Sequence, residues 1–583
     1  MNKLLKFSFD KYGYDYDFLV DIHKNKYDDG YVFKDEDVLL LGLERLRKSH
    51  SKIVICPDFD MDGISAGAVF YAGLSLLGLD VVLYAPNVDE GYGIRPVDVD
   101  RILERWPDVK AVLTCDVGVS CVDAVSYMRS KGLEVFVTDH HLEPEGVKVD
   151  ANAVVDPSRR DGGCDFTGVC GAYVAYHVVS TYAKLIGNEA VIALVRHLSL
   201  FAALGSCGDL MPVVYDTRDV LTKGVKEFNE LLDADEIRDY FCCDPWLLPD
   251  VYVMLFMNMR RLHFWLLRHN NIKTGDVTDV DFGFTYCPMF NSVKRMGGQM
   301  QMLYSLLYAN TSDDDFDKLA GWLWDLNMER KTLVNEMFAS MTADNSQLYA
   351  PYIYVVDCRP GVLGLLAMKV MTATGLPCLV VCESDGLYFG SGRVPAHIGR
   401  GVLEFDGVSM EGHEGAFGIV INKDRMSDYY VHVCDSVVKR IRELSSGDIS
   451  DPRLVVAMGG HGCYDNYDFS IVTADDYDLC FDYAVHIEDF RPFGRGFEEP
   501  EWILKFTKSD VLDVRTMGKS NEHLRVELPF NIRMVLFGGT SRYLDIIKYE
   551  NDPEHVFQFV GRFSINDFNG CRSLQFIASG IVE

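Results

Sequence analysis

Acidic residues and histidines follow four apolar segments within the first 212 residues and could act together in one reaction. The segments KIVIC, AVLTC, EVFVT and FAALGSCG precede, in this order, PDFDMDG, DVG, DHH and DLMP. The residues of interest are Asp58, Asp60, Asp62, Asp116, Asp139, His140, His141 and Asp209. Carboxylates suit Mg2+ and Mn2+, and an added histidine favours Mn2+. Two such ions, ~3.5–4 Å apart, activate a water and stabilise the leaving oxygen of a phosphodiester.

Each of these residues also has a simpler explanation. An aspartate after a strand most often caps a helix or a turn, and a pair of histidines is more often structural than catalytic. The simpler explanations weaken because four such places recur in one stretch of chain. Without a cation, so many buried carboxylates would repel one another strongly. The pattern therefore favours a metal centre.

Strand and helix patterns alternate from residue 40 to residue 212 and would bring these side chains together. Buried strands are predicted at 52–56, 80–84, 111–115, 134–138 and 151–155, with helices at 65–77, 99–106 and 122–131. This alternation predicts a mostly parallel sheet with helices on both faces. Ligands of such sheets bind outside the carboxyl ends of the strands.

The rest of the chain divides into further regions by pattern. Residues 213–347 are mainly helical and end in an unbroken helical pattern, which predicts a long connecting helix over about 313–341. Strand and helix signals return over 348–445, and 446–485 is interpreted as a connector. Short alternating strands with glycine-rich turns predict a small β barrel over 486–583. Residues 1–39 form an N-terminal segment of unknown role.

The composition limits the class of protein. Its 583 residues require several domains, and no run of ~18 uncharged apolar residues predicts a membrane span. The 16 cysteines form no C-x-x-C module, which favours reduced thiols in the cytoplasm. A net charge of −31 argues against binding to nucleic acid, but the segment from Glu501 onward holds 10 basic and 11 acidic residues. That segment is the surface least repulsive to DNA.

The motifs DFDMDG, TCDVG, TDHH and GSCGDLMP resemble, in order and spacing, those of the DHH phosphoesterases. This family includes RecJ exonucleases, oligoribonucleases, cyclic-dinucleotide phosphodiesterases and a class of inorganic pyrophosphatases. The resemblance implies two Mn2+ or Mg2+ ions, bridged by Asp116, with the ligands Asp60, Asp62, Asp116, His140 and Asp209. It also implies that His141 touches the scissile phosphate and that Asp139 supports the site from outside the ligand shell. We count Asp58 with these two as catalytic.

One position departs from the pattern of some family members. They carry histidine two residues before the first aspartate of the D-x-D-x-D run, whereas this chain has Cys56. A thiolate suits Mg2+ and Mn2+ poorly, and a cysteine at the end of an apolar strand most often acts as a small hydrophobic residue. Whether Cys56 weakens the first metal site is not determined by the sequence.

Three further segments resemble the RecJ branch. CPMFNSVKRM resembles P-x-L-N-A-x-G-R-M, and WDLNMERK resembles L-N-x-x-R-K, which implies phosphate contacts by Asn291 and Arg295. An equal alternative is that Arg295 only braces the helical region. GLYFGSGRVPAHIGRG with EGHEGAFG resembles the DHHA1-type accessory domain, which implies that Arg393 and His413 grip a substrate phosphate. A second GGHG, at 459–462, is interpreted as a chance turn.

The C-terminal region decides the branch. RPFGRGFEEPEW, GKSNEHLRVEL and FVGRFSINDFNGCRSLQF resemble the oligonucleotide-binding (OB) barrel of RecJ proteins. Such a barrel stacks bases on aromatic side chains and tracks phosphates with basic ones. The proposed strand-binding residues are Lys519 and Arg525, with Phe493, Arg495, Trp502, His523, Arg562 and Arg572 as further candidates. Each aromatic taken singly is more often part of a core.

The expected fold is α/β: a parallel-sheet DHH domain, a helical bridge, a smaller α/β accessory domain and a C-terminal OB-type β barrel. The resemblance implies a metal-dependent exonuclease that degrades single-stranded DNA from 5′ to 3′ and releases mononucleotides. One alternative is a nanoRNase or cyclic-dinucleotide phosphodiesterase acting on short oligonucleotides. Another is a catalytically silent protein that binds DNA ends. Polarity, preferred sugar and protein partners are not determined by the sequence.

Overall fold

The computed structural model describes most of the chain. The described residues are 3–26, 33–86, 91, 93–162, 166–269, 272, 276–343, 347–395, 397–412, 414–445, 454–458, 469–471, 473–518, 521–540, 543–544, 547, 550–568 and 571–581. His413, Lys519 and the second GGHG lie outside the described residues. The chain forms a larger unit, Lys26–Met211 with Val220–Ile449, and a smaller unit, Met1–Asn25, Pro212–Asp219 and Ser450–Glu583.

Helices and strands follow one another along the chain in three groups. The first group is α1 Lys3–Tyr12, α2 Tyr16–Asp21, α3 Glu36–Lys48, β1 Ile53–Pro57, α4 Met61–Leu76, β2 Val81–Leu83, α5 Pro96–Arg105, β3 Ala111–Cys115, α6 Val122–Ser130, β4 Glu134–Thr138, β5 Ala153–Val155, α7 Gly171–Ile186, α8 Glu189–Arg196 and α9 Ser199–Gly208. The second is α10 Tyr215–Asp233, α11 Ile237–Phe241, α12 Asp250–Arg268, α13 Asp279–Asp281, α14 Cys287–Arg295, α15 Met300–Tyr308 and α16 Asp313–Ala343. The third is β6 Ile353–Val355, α17 Leu363–Thr374, β7 Cys378–Ser384, β8 Leu387–Arg393, β9 Val408–Gly412, β10 Ala416–Asn422, α18 Met426–Ser445, β11 Leu454–Met458, β12 Phe469–Ile471, α19 Ala474–His486, β13 Trp502–Thr507, β14 Asp513–Met517, β15 His523–Leu528, β16 Ile532–Leu536, β17 Val556–Phe568 and β18 Cys571–Ile581.

The first sheet of the larger unit is parallel throughout, in the order β2-β1-β3-β4-β5. All five residues of β1 and of β3 are buried, as expected for strands covered by helices on both faces. β3 and β4 match the segments AVLTC and EVFVT residue for residue. The expectation of an α/β fold built on a parallel sheet is confirmed.

Helix α4 begins directly after β1 and packs against α7 and α9. Its sequence, MDGISAGAVFYAGLSL, is apolar all round, and 13 of its 16 residues are buried. The segment Glu189–Gly208, which holds α8 and α9, is long and apolar enough to cross a membrane by length and composition, with a mean hydropathy of 1.7. Because 61% of it is buried within the protein, it is explained as core helix.

The long helix α16 extends for 31 residues and leads into the second sheet of the larger unit. This sheet has the order β6-β7-β8-β10-β9, with β6 and β7 parallel and the other pairs antiparallel. Val334 and Met341 of α16 share a hydrophobic core with Leu366 of α17 and Val380 of β7. The helix therefore fixes this second sheet by apolar packing as well as by covalent connection.

The smaller unit contains an eight-stranded mixed sheet, in the order β12-β11-β13-β17-β18-β16-β15-β14. Trp502 of β13 and Phe559 of β17 lie in its core, together with Leu5 and Phe9 of α1. The N-terminal helix thus contributes apolar side chains to the core of a sheet that is formed more than 440 residues later.

The structure differs from the interpretation of 446–485 as a connector. Leu454–Met458 pairs in parallel with β13, Phe469–Ile471 pairs with Leu454–Met458, and Ala474–His486 packs against β17. These two strands are short and are separated by residues 459–468, so their sequence shows little of the alternation that identifies a strand. The described residues of this segment are part of the C-terminal sheet domain.

Candidate metal centre

The acidic residues collect where the parallel sheet changes strand order. β1, β3 and β4 are neighbours, and each is followed directly by residues of the set, beginning with Asp58, Asp116 and Asp139. The chain runs from β1 outward to β2 and then back past β1 to β3. Ligand sites in such sheets form at this switch point, outside the carboxyl ends of the strands.

His140 lies at the centre of the cluster. Its Nε2 atom lies 3.2 Å from Oδ1 of Asp116, 3.5 Å from Oδ2 of Asp209 and 3.6 Å from Oδ2 of Asp62. His140, Asp62 and Asp116 are buried, whereas Asp209 follows α9 and is partly exposed. One nitrogen and three carboxylate oxygens therefore converge in a volume that could hold a divalent ion.

Helix α7 fixes Asp62 by its first two backbone amides. Gly171 N–H donates to Oδ2 of Asp62 at 2.6 Å, and Ala172 N–H donates to Oδ1 at 2.9 Å. The positive end of the helix dipole favours a carboxylate at this place. A β-carbon at Gly171 would lie 2.7 Å from Oδ1 of Asp116, so only glycine allows this close approach.

Asp139 orients His141. Oδ1 of Asp139 accepts hydrogen bonds from the backbone N–H groups of His140 and His141, and it lies 2.7 Å from Nδ1 of His141. Its other oxygen accepts from Val119 N–H. Burial lowers the pKa of His141, but the carboxylates of Asp139 and Asp209 outweigh it and raise that pKa to about 9. With its Nδ1 turned to Asp139 and its side chain 37% exposed, His141 faces the solvent side of the cluster.

Asp60 and Asp58 form a third part of the cluster with Asp116. Oδ1 of Asp60 caps α4 by accepting from the N–H groups of Asp62 and Gly63. Lys294 of α14 reaches the same place, with its Nζ 3.4 Å from Oδ2 of Asp60 and 3.8 Å from Oδ2 of Asp58. The sequence reasoning did not single out Lys294, although the segment CPMFNSVKRM that contains it was identified.

The electrostatics of the cluster fit bound cations. Burial, followed by the charges of neighbouring carboxylates, raises the pKa of Asp116 and that of Asp209 well above their usual range. Oδ1 of Asp116 and Oδ2 of Asp209 are buried and accept no hydrogen bond from the described residues. Buried oxygens without donors are destabilising unless a cation binds them. Oxygen donors with an imidazole are the set that Mn2+ and Mg2+ accept.

Asn291 has a contact that differs from the predicted one with substrate. It is buried, and its Oδ1 accepts a hydrogen bond of 2.8 Å from the backbone N–H of Met61. Met61 stands between Asp60, which caps α4, and Asp62, so this bond supports the first turn of α4 and both carboxylates. The described contacts thus give Asn291 a positioning role at the site.

Arg295, Arg330 and Arg393 form a cationic cluster within the larger unit. Burial lowers the pKa of each, and the charge of Arg295 lowers those of Arg330 and Arg393 further. No salt bridge joins these three guanidinium groups to a carboxylate in the described part of the chain, and their hydrogen bonds go to Asn327, Ser391 and Gly392. Such a cluster suits an anion. Arg330 was missed, although WDLNMERK, which contains it, was identified.

Comparisons with known proteins match two segments of this chain to domain families. The model of the DHH family, N-terminal domain, matches residues 52–204, and that of the RecJ OB domain matches residues 472–580. The single-stranded-DNA-specific exonuclease RecJ of Haemophilus influenzae is 25% identical over 556 residues, which cover 91% of this chain and 87% of the relative. RecJ of Escherichia coli is 25% identical with the same coverage. This chain is similar to RecJ over most of its length and carries a segment that matches the DHH family.

Solved structures share the fold of this RecJ-like chain. The crystal structure of RecJ in complex with Mn2+ from Thermus thermophilus superposes with a TM-score of 0.70 at 19% identity, over 100% of this chain and 76% of that one. The corresponding Mg2+ complex gives a TM-score of 0.65 at 18% identity, over 100% and 75%. At this identity the comparison concerns the fold.

Two of the predicted strand-binding arginines of the smaller unit, Arg525 and Arg562, have acidic partners. Arg525 pairs with Glu527, which also lies 3.6 Å from Nε of Arg533. Arg562 lies 3.5 Å from Glu499 and 3.8 Å from Glu501. Trp502 is fully buried and donates its indole N–H to Tyr483, so it is a core residue and not a base-stacking platform.

Proposed function

We propose that this chain is a metal-dependent exonuclease that hydrolyses single-stranded DNA, from 5′ to 3′, and releases mononucleotides. The observation that carries this proposal is the convergence of His140 Nε2 with oxygens of Asp62, Asp116 and Asp209 at the sheet edge. The RecJ OB domain match over residues 472–580 supports a single strand as the substrate. The relatives that align over most of the chain are exonucleases specific for single-stranded DNA.

We assign the ligands of two Mn2+ or Mg2+ ions to the central residues of the cluster. They are Asp60, Asp62, Asp116, His140 and Asp209, with Asp116 shared between the two ions. When bound, two such ions activate a water for attack on phosphorus and stabilise the departing oxygen. The N–H groups at the start of α7 hold Asp62, so one ligand is oriented before any ion binds.

His141 and Asp139 act on the substrate side of this site. Asp139 accepts from two backbone amides and lies against Nδ1 of His141, which fixes the orientation of the imidazole ring. Nε2 of His141 would then donate a hydrogen bond to a non-bridging oxygen of the scissile phosphate. We assign Asp58 to the same catalytic group because its Oδ2 lies 3.8 Å from Nζ of Lys294 and its carboxylate groups with those of Asp60 and Asp116.

The three arginines bind the substrate phosphate backbone. Arg295, Arg330 and Arg393 form no salt bridge within the described residues, although the charge of Asp60 acts on Arg295, and phosphate oxygens would supply a direct anionic partner. His413 belongs to the same proposed phosphate grip. Lys519 and Arg525 would also contact the strand. We also propose that the protein acts in the cytoplasm, where a DNA-processing enzyme meets its substrate.

The decisive test is an exonuclease assay on end-labelled strands with added Mn2+. DNA and RNA oligomers of equal sequence, labelled at either end, should show release of mononucleotides from the 5′ end of DNA in preference to RNA. A chelator should stop the reaction. Hydrolysis with equal rates at both ends would refute the polarity, and absence of hydrolysis with Mn2+ present would refute the enzyme and favour a silent end-binding protein.

A second candidate is an enzyme for short substrates, such as a nanoRNase or cyclic-dinucleotide phosphodiesterase. The observation that favours it is the pairing of Arg525 and Arg562 with glutamates, which reduces the charge available for a long strand. Rates on a dinucleotide and on a long oligomer separate the two functions. A higher kcat/KM for the dinucleotide would select the second candidate.

A further inference from the structure

The carboxylate cluster is asymmetric in the cations it already contains. On the side of Asp58 and Asp60, the Nζ atom of Lys294 lies within 3.8 Å and 3.4 Å of their Oδ2 atoms. Lys294 also lies over the ring of Phe59, at 4.6 Å from its centroid, so its stem is held next to the loop. One side of the cluster therefore has an ammonium group where a metal ion would otherwise balance the charge.

The opposite side has no ammonium group among the described residues, and the His141 imidazole there lies 4.0 Å from Oδ1 of Asp116, with the same Nδ1 atom 2.7 Å from Asp139. His140 Nε2 lies 3.2 Å from Oδ1 of Asp116 and 3.5 Å from Oδ2 of Asp209, and neither oxygen accepts a hydrogen bond from the described residues. Both oxygens of Asp60, by contrast, have partners, because Oδ1 caps α4 and Oδ2 faces Lys294. A divalent ion would therefore stabilise the carboxylate oxygens of the two halves to different extents.

Two sequence features fall on the half that holds Lys294. The pattern P-x-L-N-A-x-G-R-M has glycine at the position of Lys294, so this chain adds a long cationic side chain there. Cys56, at the end of β1, stands two residues before Asp58, where some family members have a histidine. This half gains a positive charge and lacks an imidazole ligand, and both changes weaken binding of a divalent cation.

We propose that Lys294 is a built-in cation of the Asp58–Asp60 half, so that this chain binds one divalent ion tightly and a second only in competition with the Lys294 ammonium. The proposal rests on the metal-dependent function proposed above. Two like charges cannot share the oxygens of Asp60 without mutual repulsion. Because the Lys294 side chain is 34% exposed, it is able to turn outward when the second ion enters.

The test is a Mn2+ titration of the metal-free full-length protein at one fixed pH, followed by the sharp spin-resonance signal of free Mn2+. The wild type should bind one Mn2+ tightly and a second with an affinity at least about tenfold lower. Lys294→Met keeps the stem over Phe59 and removes the charge. It should therefore raise the affinity for the second Mn2+ by at least about tenfold and leave the affinity for the first unchanged. Lys294→Arg keeps the charge, so the second Mn2+ should still bind weakly to this variant.

Lys318→Met is the matched control. Lys318 also pairs with an aspartate, Asp315 at 2.8 Å, but it lies on α16 away from the cluster. The first and the second Mn2+ should therefore bind to this variant with their wild-type affinities. Thermal unfolding of each variant checks that it is folded. If the wild type binds two Mn2+ ions with equal affinity, and Lys294→Met changes neither affinity, the role of Lys294 is overturned and the proposed function remains intact. A wild type that binds no Mn2+ would overturn both.

Discussion

The metal centre of the larger unit and the C-terminal sheet of the smaller unit differ in how their charges are compensated. At the metal centre, acidic groups are buried together, and Oδ1 of Asp116 and Oδ2 of Asp209 receive no hydrogen bond from the described residues. On the C-terminal sheet, Arg525, Arg533 and Arg562 each lie against a glutamate. The first region needs external cations, whereas the second is largely balanced within the chain.

The difference shows where strong interactions with ligands are to be expected. A buried carboxylate cluster gains much from a divalent ion because few other groups compensate its charge. Exposed arginines that already pair with glutamates gain less from phosphate, since part of their interaction with an anion is already made. Substitutions at the metal centre should therefore have large effects, and those at the C-terminal sheet small ones.

Loss of the shared ligand should have the largest effect. Asp116→Ala should lower kcat/KM on single-stranded DNA by at least about a thousandfold, equivalent to ~4 kcal/mol of transition-state stabilisation. Steady-state kinetics with saturating Mn2+ measure this. The control Glu104→Ala changes an exposed carboxylate of α5 and should retain activity. Substantial Mn2+-dependent activity in Asp116→Ala would show that this aspartate holds no essential ion.

Loss of one arginine of the cationic cluster should have the next largest effect. Arg393→Ala removes a charged contact to phosphate, worth ~1.5–3 kcal/mol, and should lower kcat/KM by about 10- to 200-fold on all sequences alike. Arg442→Ala, an exposed arginine of α18, provides the control. Wild-type kinetics for Arg393→Ala on several sequences would mean that the side chain only braces its own strand.

Release of an arginine on the C-terminal sheet should have a smaller effect, in the opposite direction. Glu527→Gln frees Arg525 and Arg533, so long single-stranded DNA should bind about 2- to 5-fold more tightly at low salt, with a steeper salt dependence. Fluorescence anisotropy in the inactive Asp116→Ala background measures this, and Glu554→Gln is the control. If affinity and salt dependence stay unchanged, these arginines do not contact the strand.

Metal binding should also stabilise the fold, by a modest amount. At Mn2+ concentrations of ~100 times the dissociation constant, binding stabilises the native state by ~2.7 kcal/mol and should raise Tm by about 2–4 °C. Differential scanning fluorimetry with and without Mn2+ measures the shift, and Asp116→Ala should lose most of it. An equal shift in the variant would place the stabilising ion elsewhere.

The structure also changes how the C-terminal domain should be removed in experiments. The predicted barrel over 486–583 suggests a truncation before residue 489, but this would leave β11, β12 and α19 without the strands with which they pair and pack. Leu5 and Phe9 of α1 would lose their core in the same way. Point substitutions such as Glu527→Gln are therefore the better probe of this domain.

The sequence by itself determined the parallel sheet, the long helix α16 and the eight residues around the metal centre. Segments such as AVLTC and EVFVT identify buried strands because burial on both faces demands continuous apolar residues, and the polar residues directly after them share one sheet edge. The order of the motifs then gave the resemblance that assigned a role to each residue. All of this information is local along the chain.

Only the tertiary structure decided which distant groups meet the cluster. Lys294 and Asn291 lie on α14, more than 220 residues after Asp60 and Met61, yet they contact this loop. The N-terminus of α7 meets Asp62, and α1 joins the C-terminal core, by packing that no local pattern encodes. Such contacts depend on how helices pack on sheets, so the charge balance of the metal centre is a property of the folded chain.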